Sequence, residues 1–516
     1  MIQLRRGRRT RALRLVGLVA ALTLLSSGCD WTMFHGDAGH SGVAYDPGFT
    51  AAQATSLVRS WRFHPGFSIQ STPATFKGTV YLAGGNGVFY ALDLGSGAIK
   101  WSKDYGLYNP VECSDPPGFT SSPAIRADAD GNPKLYVCTH AGTLQELDGL
   151  DGDVLWESRV YNVPGDGHND YYAWSSPILL GQNVYVGVSS DCDNPFVPGA
   201  VVAFDQISGA VVARYTTMPA LPDPNYSHHG PDFPPTANYV GAGVWTSPAV
   251  DGNSVYVTTA STYDDTNNAH PPRDDNGFDQ YSMLKLDAST LTRTGKFAVP
   301  QPQNVGDPDW GSSPVLFSAT IGGQSVPMVG ACNKDGNFYA LRRDTMRPVW
   351  AVHAGLGTPA GELACLSGAV WDGNRLFVVG NDTTIGGAWL QTTTTSPSGY
   401  SWPLYSPTGG TSAVGAIRQL DPATGIPASG QPSWEHAFRS RVLGACSMNG
   451  NKDLIACQTT DWTKSWNALV LIDPATGNQV SELHDVAEFP GFSTPIWADG
   501  HLIVGDTDAL RVYTPG

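Results

Sequence analysis

Two phrases of apolar and polar positions recur along this chain, and glycine-rich turns separate them. The first phrase is a pair of small hydroxyl residues followed by proline and a short apolar run. Its clear copies begin at Ser71-Thr72, Ser121-Ser122, Ser175-Ser176, Thr246-Ser247, Ser312-Ser313 and Ser493-Thr494. Two degenerate copies occupy residues 365–368 and 444–447. Self-similarity of this kind indicates a repeat architecture.

The second phrase is an alternating run that ends in aspartate or a substitute, usually before a glycine turn. Its copies end at Asp93, Asp148, Asp205, Asp287, Arg342, Asp421, Asp473 and Tyr513. The two phrases alternate strictly and predict eight units. Each unit has an apolar run between the phrases and a last run that often ends in tryptophan, which makes four short antiparallel strands. Four such strands per repeat predict an all-β fold, an eight-bladed β-propeller.

The last unit lacks the pattern of a fourth strand before Gly516. The segment Leu57–Phe63 carries Trp61 in the fourth-strand pattern, with no unit before it. We predict that this segment completes the last blade and closes the ring, because closure leaves no terminal repeat exposed.

Composition agrees with a protein of many short strands. Charged residues make up only 15% of the chain, which holds 59 glycines, 38 prolines and 15 tryptophans. Many turns and aromatic residues with few charges suit an all-β protein. The formal net charge is −16, and such a surface disfavours nucleic acid and anionic lipid head groups as partners.

The first 29 residues have the pattern of an export signal. Six arginines surround the start of an apolar core at residues 13–25, which is too short to be a good membrane span. The end of this segment resembles a bacterial lipoprotein cleavage box, which predicts Cys29 as the lipidated residue and a lipoprotein at the cell envelope. Ordinary signal cleavage nearby, giving a periplasmic or secreted protein, is the alternative. We predict a signal peptide over residues 1–29, an N-terminal extension over 30–55 and the propeller over 56–516.

Seven of the eight cysteines follow Cys29. Export permits disulfides, and an odd number leaves at least one thiol unpaired within the chain. The sequence contains no CxxC or CxxCH motif, so it lacks the motifs of a zinc ribbon, a thioredoxin-like redox site and a covalent haem of that type.

Several segments resemble proteins that carry pyrroloquinoline quinone (PQQ) on a propeller. Residues 90–101 contain the Tyr-Ala-Leu-Asp, Gly and Trp of their repeat, and residues 31–37 resemble their mature N-terminus. Residues 243–251 and 306–314 are similar to polyvinyl-alcohol dehydrogenases and their relatives. The resemblance implies PQQ and calcium as cofactors, and an alcohol, a polymeric alcohol or a sugar as substrate. The same repeat also builds non-catalytic propellers, among them outer-membrane assembly scaffold lipoproteins.

The resemblance also implies an active site. Trp245, six residues before Asp251, matches the tryptophan on which the quinone stacks. Lys334 matches the basic residue beside the quinone carbonyls. Asp307 and Asp309 compete for the place of the catalytic base, which would take the alcohol proton while hydride passes to the quinone. The structural alternatives are inter-blade packing for the tryptophan, hairpin geometry for the lysine and turn capping for the aspartates.

The calcium ligands of the family match less well. The family has a glutamate after the second strand of blade 3, where this chain offers Asp193 or Asp191. It has an asparagine after the second strand of blade 4, where alignment on Tyr263 places Ser261. Calcium takes six to eight oxygen ligands, so a hydroxyl in place of a carboxamide predicts a weaker metal site. A solvated loop is the alternative.

Propeller topology predicts that these candidates share one face. Loops that lead into first strands and loops that join second to third strands lie at the same end of each blade. The longest insertions, residues 218–242, 261–281 and 381–412, belong to that end, which suggests a built-up binding site. One insertion holds candidates for metal or substrate binding, which are His228, His229 and Asp232. Another holds candidates for stacking a sugar or polymer, which are Tyr400, Trp402 and Tyr405.

Two functions from different classes follow. The first is a PQQ- and calcium-dependent dehydrogenase that passes electrons to a separate carrier. The second is a non-catalytic, envelope-anchored propeller that binds a protein or a polysaccharide. A descendant that binds another small ligand is a third hypothesis.

Overall fold

The repeating phrases fold into sheets that succeed one another along the chain. The computed structural model describes residues 29–107, 118–161, 171–190, 197–218, 240–263, 279–300, 309–356, 363–396, 399–426, 430, 432–461, 466–486 and 492–516. Eight blades of four antiparallel strands form the propeller, which confirms the predicted fold class.

Within each of blades 1 to 4, the four strands pair in chain order. Their bounds are Ala74–Phe76, Thr79–Ala83, Val88–Asp93 and Ile99–Asp104; Ala124–Ala127, Pro133–Cys138, Thr143–Asp148 and Val154–Arg159; Ile178–Leu180, Asn183–Ser190, Ala200–Asp205 and Val211–Thr216; and Ala249–Asp251, Ser254–Thr258, Ser282–Asp287 and Arg293–Ala298. The fourth strands of blades 1, 2 and 3 are the most exposed, as expected of the outer edge.

Blades 5 to 8 repeat this pattern, and the last blade takes its fourth strand from the N-terminal region. Their strands are Val315–Ile321, Gln324–Cys332, Asn337–Arg342 and Pro348–His353; Val370–Trp371, Leu376–Ile385, Thr411–Leu420 and Trp434–Phe438; Ser447–Met448, Ile455–Thr459, Ala468–Ile472 and Gln479–Leu483; and Ile496–Ala498, His501–Gly505, Leu510–Pro515 and Leu57–Phe63. Trp61 pairs with Val512, which confirms the predicted closure of the ring.

A few short elements lie outside the blades. The helix Ala51–Ala54 has a capping box formed by Thr50 and Gln53. The other elements are strands Tyr171–Tyr172, Val240–Gly241, Thr262–Tyr263, Ala388–Thr395 and Ser401–Thr408. The last two form a hairpin from blade 6 that adds to the outer edge of blade 5 in parallel pairing. Within the described ranges, no helix has both the length and the apolar character needed to cross a bilayer.

The fourth-strand tryptophans explain the glycine turns of the second phrase. Each tryptophan packs on a glycine of the next blade and donates its indole N–H to a carbonyl there. Trp61 lies against Gly97 and donates to Leu94 O at 2.7 Å. Trp101 lies against Gly152 in the same way and donates to Gly149 O at 3.0 Å. A side chain at these glycines would meet the indole ring, so the turn residue and the tryptophan depend on each other.

The hydroxyl pairs of the first phrase link the blades near the central axis. The backbone N–H of the second hydroxyl residue in one blade donates to the equivalent hydroxyl of the next blade. We call this series the hydroxyl ring, and its bonds are Thr494 to Thr72 (3.0 Å), Thr72 to Ser122 (2.8 Å), Ser122 to Ser176 (3.0 Å), Ser176 to Ser247 (3.0 Å) and Ser247 to Ser313 (2.9 Å).

Residues 30–49 form a strap along the innermost strands. Six first-strand amides donate to strap carbonyls: Thr75 to Trp31, Ile125 to Thr32, Val250 to Ala38, Leu316 to Gly39, Trp371 to Ser41 and Met448 to Gly42, all at 2.7 or 2.8 Å. The Asp30 carboxylate also accepts from Lys77 N–H, in the turn between the first two strands of blade 1. The strap therefore lies toward the end of the blades where first and second strands join.

Candidate functional site

The two ends of the blades define two faces. One end carries the loops that lead into first strands and the loops that join second to third strands. We call this end the site face. The opposite end, where the strap lies, is the strap face. Trp245 and Asp309 precede first strands, whereas Ser261 and Lys334 follow second strands. All four therefore lie on the site face.

The side chains of Trp245, Lys334 and Asp309 come together there. The Lys334 ammonium lies 5.4 Å from the centre of the Trp245 ring. It also lies 3.8 Å from Asp309 Oδ2, as a longer-range ion pair. A partly exposed indole, a cation and a carboxylate thus occupy one small region contributed by blades 4 and 5.

A tight turn, residues 333–336, positions Lys334, and we call it the site hairpin. Within it, Gly336 N–H donates to Asn333 O at 3.0 Å, and Asp335 N–H donates to Asn333 Oδ1 at 2.9 Å. Gly336 has a φ of 91°, which favours glycine at this position. The hairpin geometry that the sequence offered as an alternative is therefore present, and it directs Lys334 toward Asp309.

Asp309 is 4% exposed and is held from two sides. The backbone N–H of Ser261 donates to Asp309 Oδ1. The backbone N–H of Lys334 donates to the Asp309 carbonyl at 2.8 Å. The Ser261 amide of blade 4 and the Lys334 ammonium of blade 5 therefore hold this carboxylate between the two blades.

A second group of polar residues stabilises the site hairpin through hydrogen bonds. The Asp335 carboxylate accepts from Tyr339 O–H at 2.7 Å and from Asn337 N–H at 2.8 Å. The Asn337 side chain lies 3.0 Å from His353 Nδ1, and burial lowers the pKa of His353 to about 4. Sequence reasoning missed these residues, although the Asn-x-Asp-Gly-Asn pattern around Lys334 is a turn signal.

The other residues singled out in the sequence lie in different places. Asp307, Asp191 and Asp193 lie outside the described residues, as do His228, His229 and Asp232. Asp251, which marks the spacing to Trp245 in the sequence, lies on the strap face, where it forms an ion pair with Arg343. Trp402 is 2% exposed and packs against Phe297, which leaves no open ring face for a sugar.

Metal ligands do not gather in the part of the chain that the structure describes, where no three histidine, cysteine or acidic side chains converge. Ser261 contacts Asp309 through its backbone N–H, which cannot bind a cation. The predicted ligands Asp191 and Asp193 lie outside the described residues, so the metal site stays a prediction.

The described cysteines form two disulfides and leave two free thiols. Cys332 pairs with Cys365 and Cys446 pairs with Cys457. Cys138 is buried and unpaired, as the odd cysteine count requires of at least one thiol, and burial raises its pKa to about 12. Such a thiol is mostly uncharged at neutral pH and is a poor nucleophile.

Comparison with known proteins relates this chain to a family. Residues 31–356 match the family described as "PQQ: Glucose/ethanol/alcohol dehydrogenase, beta-propeller domain". The chain is 26% identical over 341 residues to a quinoprotein glucose dehydrogenase of Gluconobacter oxydans (strain 621H), which covers 58% of this chain and 40% of that protein. It is 24% identical over 324 residues to a polyvinylalcohol dehydrogenase of a Pseudomonas species, at 58% and 47% coverage. The chain thus spans less than half the length of these curated relatives.

A solved structure shows the same fold. The quinohemoprotein alcohol dehydrogenase from Comamonas testosteroni superposes with a TM-score of 0.65 at 17% identity, over 94% of this chain and 80% of that chain.

Proposed function

Because this chain belongs to the PQQ glucose/ethanol/alcohol dehydrogenase β-propeller family, we propose that it binds PQQ and oxidises an alcohol, a polymeric alcohol or a sugar. The observation that supports this function is the convergence of Trp245, Lys334 and Asp309 on the site face. These side chains come from three separate loops, and the packing of blade 4 against blade 5 brings them together. The curated relatives include dehydrogenases of glucose and of polyvinyl alcohol, which is why the proposal covers both substrate classes.

The residues present fit the chemistry of this cofactor. PQQ is a flat aromatic anion with adjacent carbonyls, so it requires an aromatic surface and a cation at its edge. The Trp245 ring and the Lys334 ammonium, 5.4 Å apart, supply that pair. An aromatic contact of this type stabilises a bound ring by about 1 kcal/mol beyond area burial. When bound, PQQ would supply the hydride acceptor for the reaction.

Asp309 is the residue that we assign to proton transfer. In this proposal the Ser261 N–H and the Lys334 ammonium hold its carboxylate in place as the proton acceptor. A carboxylate in this state takes the hydroxyl proton of an alcohol as its carbon is oxidised. Lys334 is 13% exposed at its side chain, so solvent screens its pairing with Asp309 only weakly.

Calcium is part of the proposal because the resemblance implies it. A carboxylate pair such as Asp191 and Asp193 has the charge and oxygen donors that calcium prefers. If these residues bind calcium beside the site, a chelator should lower the affinity for PQQ and added calcium should restore it. The double variant Asp191→Asn/Asp193→Asn should lose that response.

Binding of PQQ tests the proposed function directly. Purified protein would be titrated with PQQ and calcium, followed by quenching of tryptophan fluorescence and by dye-linked oxidation of alcohols, polyvinyl alcohol and glucose. We expect saturable quenching that Trp245→Ala abolishes. Trp466→Ala is the matched control, because Trp466 is 47% exposed on the site face of blade 7, three blades away. Absence of binding at micromolar PQQ would instead favour the non-catalytic, envelope-anchored propeller that binds a protein or a polysaccharide.

We also propose lipid attachment at Cys29. The Cys29 carbonyl accepts from Asp499 N–H at 3.3 Å, in a turn between first and second strands. An anchor at this residue would attach the strap face to the membrane and turn the site face outward. Labelling with radioactive palmitate in bacterial cells should mark the protein, and Cys29→Ser should abolish the label. A wild-type chain without label would support ordinary signal cleavage.

A further inference from the structure

The hydroxyl ring is interrupted at two neighbouring blades. Its five bonds run from blade 8 through blades 1 to 4 and end on Ser313 of blade 5. The equivalent residues of blades 6 and 7 are Gly368 and Ala445, which have no hydroxyl group. His35 of the strap fills this place, since a Cβ at Gly368 would lie 3.3 Å from its ring. Blades 5 and 6 therefore lack the bond that joins most other neighbours.

A disulfide joins the same two blades. Cys332 is the last residue of the second strand of blade 5, whereas Cys365 lies in the loop that leads into blade 6. Their Cα atoms are 5.2 Å apart, and 33 positions separate them in sequence. Both residues are fully buried. The covalent bond thus occurs beside the interruption of the hydroxyl ring.

The same disulfide adjoins the candidate site. Cys332 directly precedes the site hairpin, and its carbonyl accepts from Gly311 N–H at 2.9 Å, two residues after Asp309. Cys365 packs against this point so closely that a Cβ at Gly311 would lie 2.2 Å from the Cys365 carbonyl oxygen. Both chain segments that carry the Asp309 and Lys334 side chains are therefore fixed at the cross-link.

We propose that the Cys332–Cys365 disulfide is a positioning element that holds Lys334 against Asp309 and Trp245. The inference builds on the proposed function, because it assigns the cross-link to the same site. The site hairpin is attached to blade 4 through non-covalent contacts of Lys334 and Asp309. On the blade 6 side it is anchored by the disulfide in place of the missing hydroxyl bond. Without that anchor, Lys334 would sample positions away from the ring of Trp245.

The chain contains a matched control for this proposal. Cys446 and Cys457 form a second buried disulfide, 11 positions apart, which joins the start of blade 7 to its own second strand. It crosses no blade interface and touches no residue of the candidate site. Loss of either cross-link should lower stability, but only loss of Cys332–Cys365 should disturb the site hairpin.

The experiment compares the variants Cys332→Ala/Cys365→Ala and Cys446→Ala/Cys457→Ala with the wild-type chain. Hydrogen exchange of residues 333–339 is the first measurement, because it needs no cofactor. We expect exchange to rise at least tenfold in the first variant and to stay within twofold in the second. The second measurement is PQQ binding and turnover. The first variant should bind PQQ at least tenfold more weakly, whereas the second should bind it within twofold of the wild-type chain, a contrast that a general loss of folded protein would not produce.

The inference would be overturned if hydrogen exchange of the site hairpin rose equally in both variants, or if it rose in neither. If the first variant does not fold, the Cys446→Ala/Cys457→Ala chain can be treated with a phosphine reductant under native conditions, and exchange of residues 333–339 should then rise tenfold. Unchanged exchange after complete reduction would contradict the proposal. Should the wild-type chain fail to bind PQQ, the proposed function fails, whereas the exchange measurement still decides whether the disulfide positions Lys334.

Discussion

The two faces of this propeller use the same strands for different purposes. On the strap face, short turns join the strands, and residues 30–49 bind the inner strands through six regular backbone hydrogen bonds. On the site face, Trp245, Lys334 and Asp309 come from three different loops, and the contacts between them do not repeat from blade to blade. The strap face repeats one interaction around the axis, whereas the site face brings together groups that each occur once.

Because of this difference, we expect the residues that stabilise the fold and the residues that carry out chemistry to lie on different faces. A repeated interaction adds small, similar contributions from each blade, as expected of architectures in which each unit contacts only its neighbours. A group that occurs once can change without altering the repeat. Substitutions on the strap face should therefore change the free energy of unfolding, and substitutions on the site face should change turnover.

Removal of the strap should have the largest effect. Deletion of residues 30–49 would leave six inner-strand amides without their partners, at about 1 kcal/mol each, and would remove the fully buried Trp31. The total approaches the whole stability of a typical domain. We expect the deleted chain to be insoluble or to lack a cooperative unfolding transition in circular dichroism.

A smaller change keeps this prediction measurable. Trp31→Ala should fold and should lower the free energy of unfolding by about 3–5 kcal/mol, because it leaves a cavity under the strap. Its denaturation midpoint in guanidinium chloride gives the value. A midpoint equal to that of the wild-type chain would mean that the strap contributes little to closure.

On the site face, Asp309→Asn should lower kcat by roughly 10²–10⁴, equivalent to about 3–5 kcal/mol, through loss of the proton acceptor. The asparagine keeps an oxygen for the Ser261 N–H, so the unfolding midpoint should change little. Asp251→Asn, on the strap face, is the control and should leave turnover unchanged. Equal loss of turnover and stability in Asp309→Asn would contradict the division between the faces.

The repeats made most of the fold predictable. Alternating strands and tryptophan positions gave the eight blades and the closure through Trp61, because each repeat carries its own packing partners. The strap was not predicted, since residues 30–49 have no period and their contacts are made by backbone atoms. The sequence also did not predict that the hairpin Ala388–Thr395/Ser401–Thr408 pairs with blade 5. This parallel pairing depends on residues that are distant in the chain.

The sequence predicted the site only as far as the order of strands determines the face on which a residue lies. The position of a residue before a first strand or after a second strand placed Trp245, Asp309, Ser261 and Lys334 on one face. The amide contact of Ser261 with Asp309 carries no sequence signal, because any residue has a backbone N–H. The pairing of Cys332 with Cys365 could not be chosen from cysteine spacing alone.

Acid should weaken the strap face through its buried histidines. Burial, with a smaller effect of His35, lowers the pKa of His40 to about 3. Folding therefore favours neutral His40, whereas the unfolded chain binds a proton below about pH 6.5. Stability should be complete above that pH and should fall by about 2 kcal/mol at pH 5. Unfolding in guanidinium chloride at pH 7.5 and pH 5 measures this loss.

The variant His40→Asn should remove the part of the pH dependence of stability that His40 causes. Its amide N–H₂ can replace the ring nitrogen that lies 2.9 Å from Pro314 O, but it does not titrate. The difference in stability between pH 7.5 and pH 5 should therefore shrink by about 2 kcal/mol relative to the wild-type chain. An unchanged difference would mean that other groups cause the acid sensitivity.

The smallest expected effect concerns the hydroxyl ring, whose members stand just before the first strands of their blades. Ser122→Ala would leave the Thr72 N–H without its acceptor at 2.8 Å and should cost about 1 kcal/mol of unfolding free energy. Ser176→Ala should cost the same, because Ser122 N–H donates to it in the same way. The two losses should add in the double variant if each bond joins only its own pair of blades. A combined loss well above the sum would show that the ring acts as one cooperative unit, and its interruption at Gly368 and Ala445 would then weaken every blade rather than only the interfaces of blades 6 and 7.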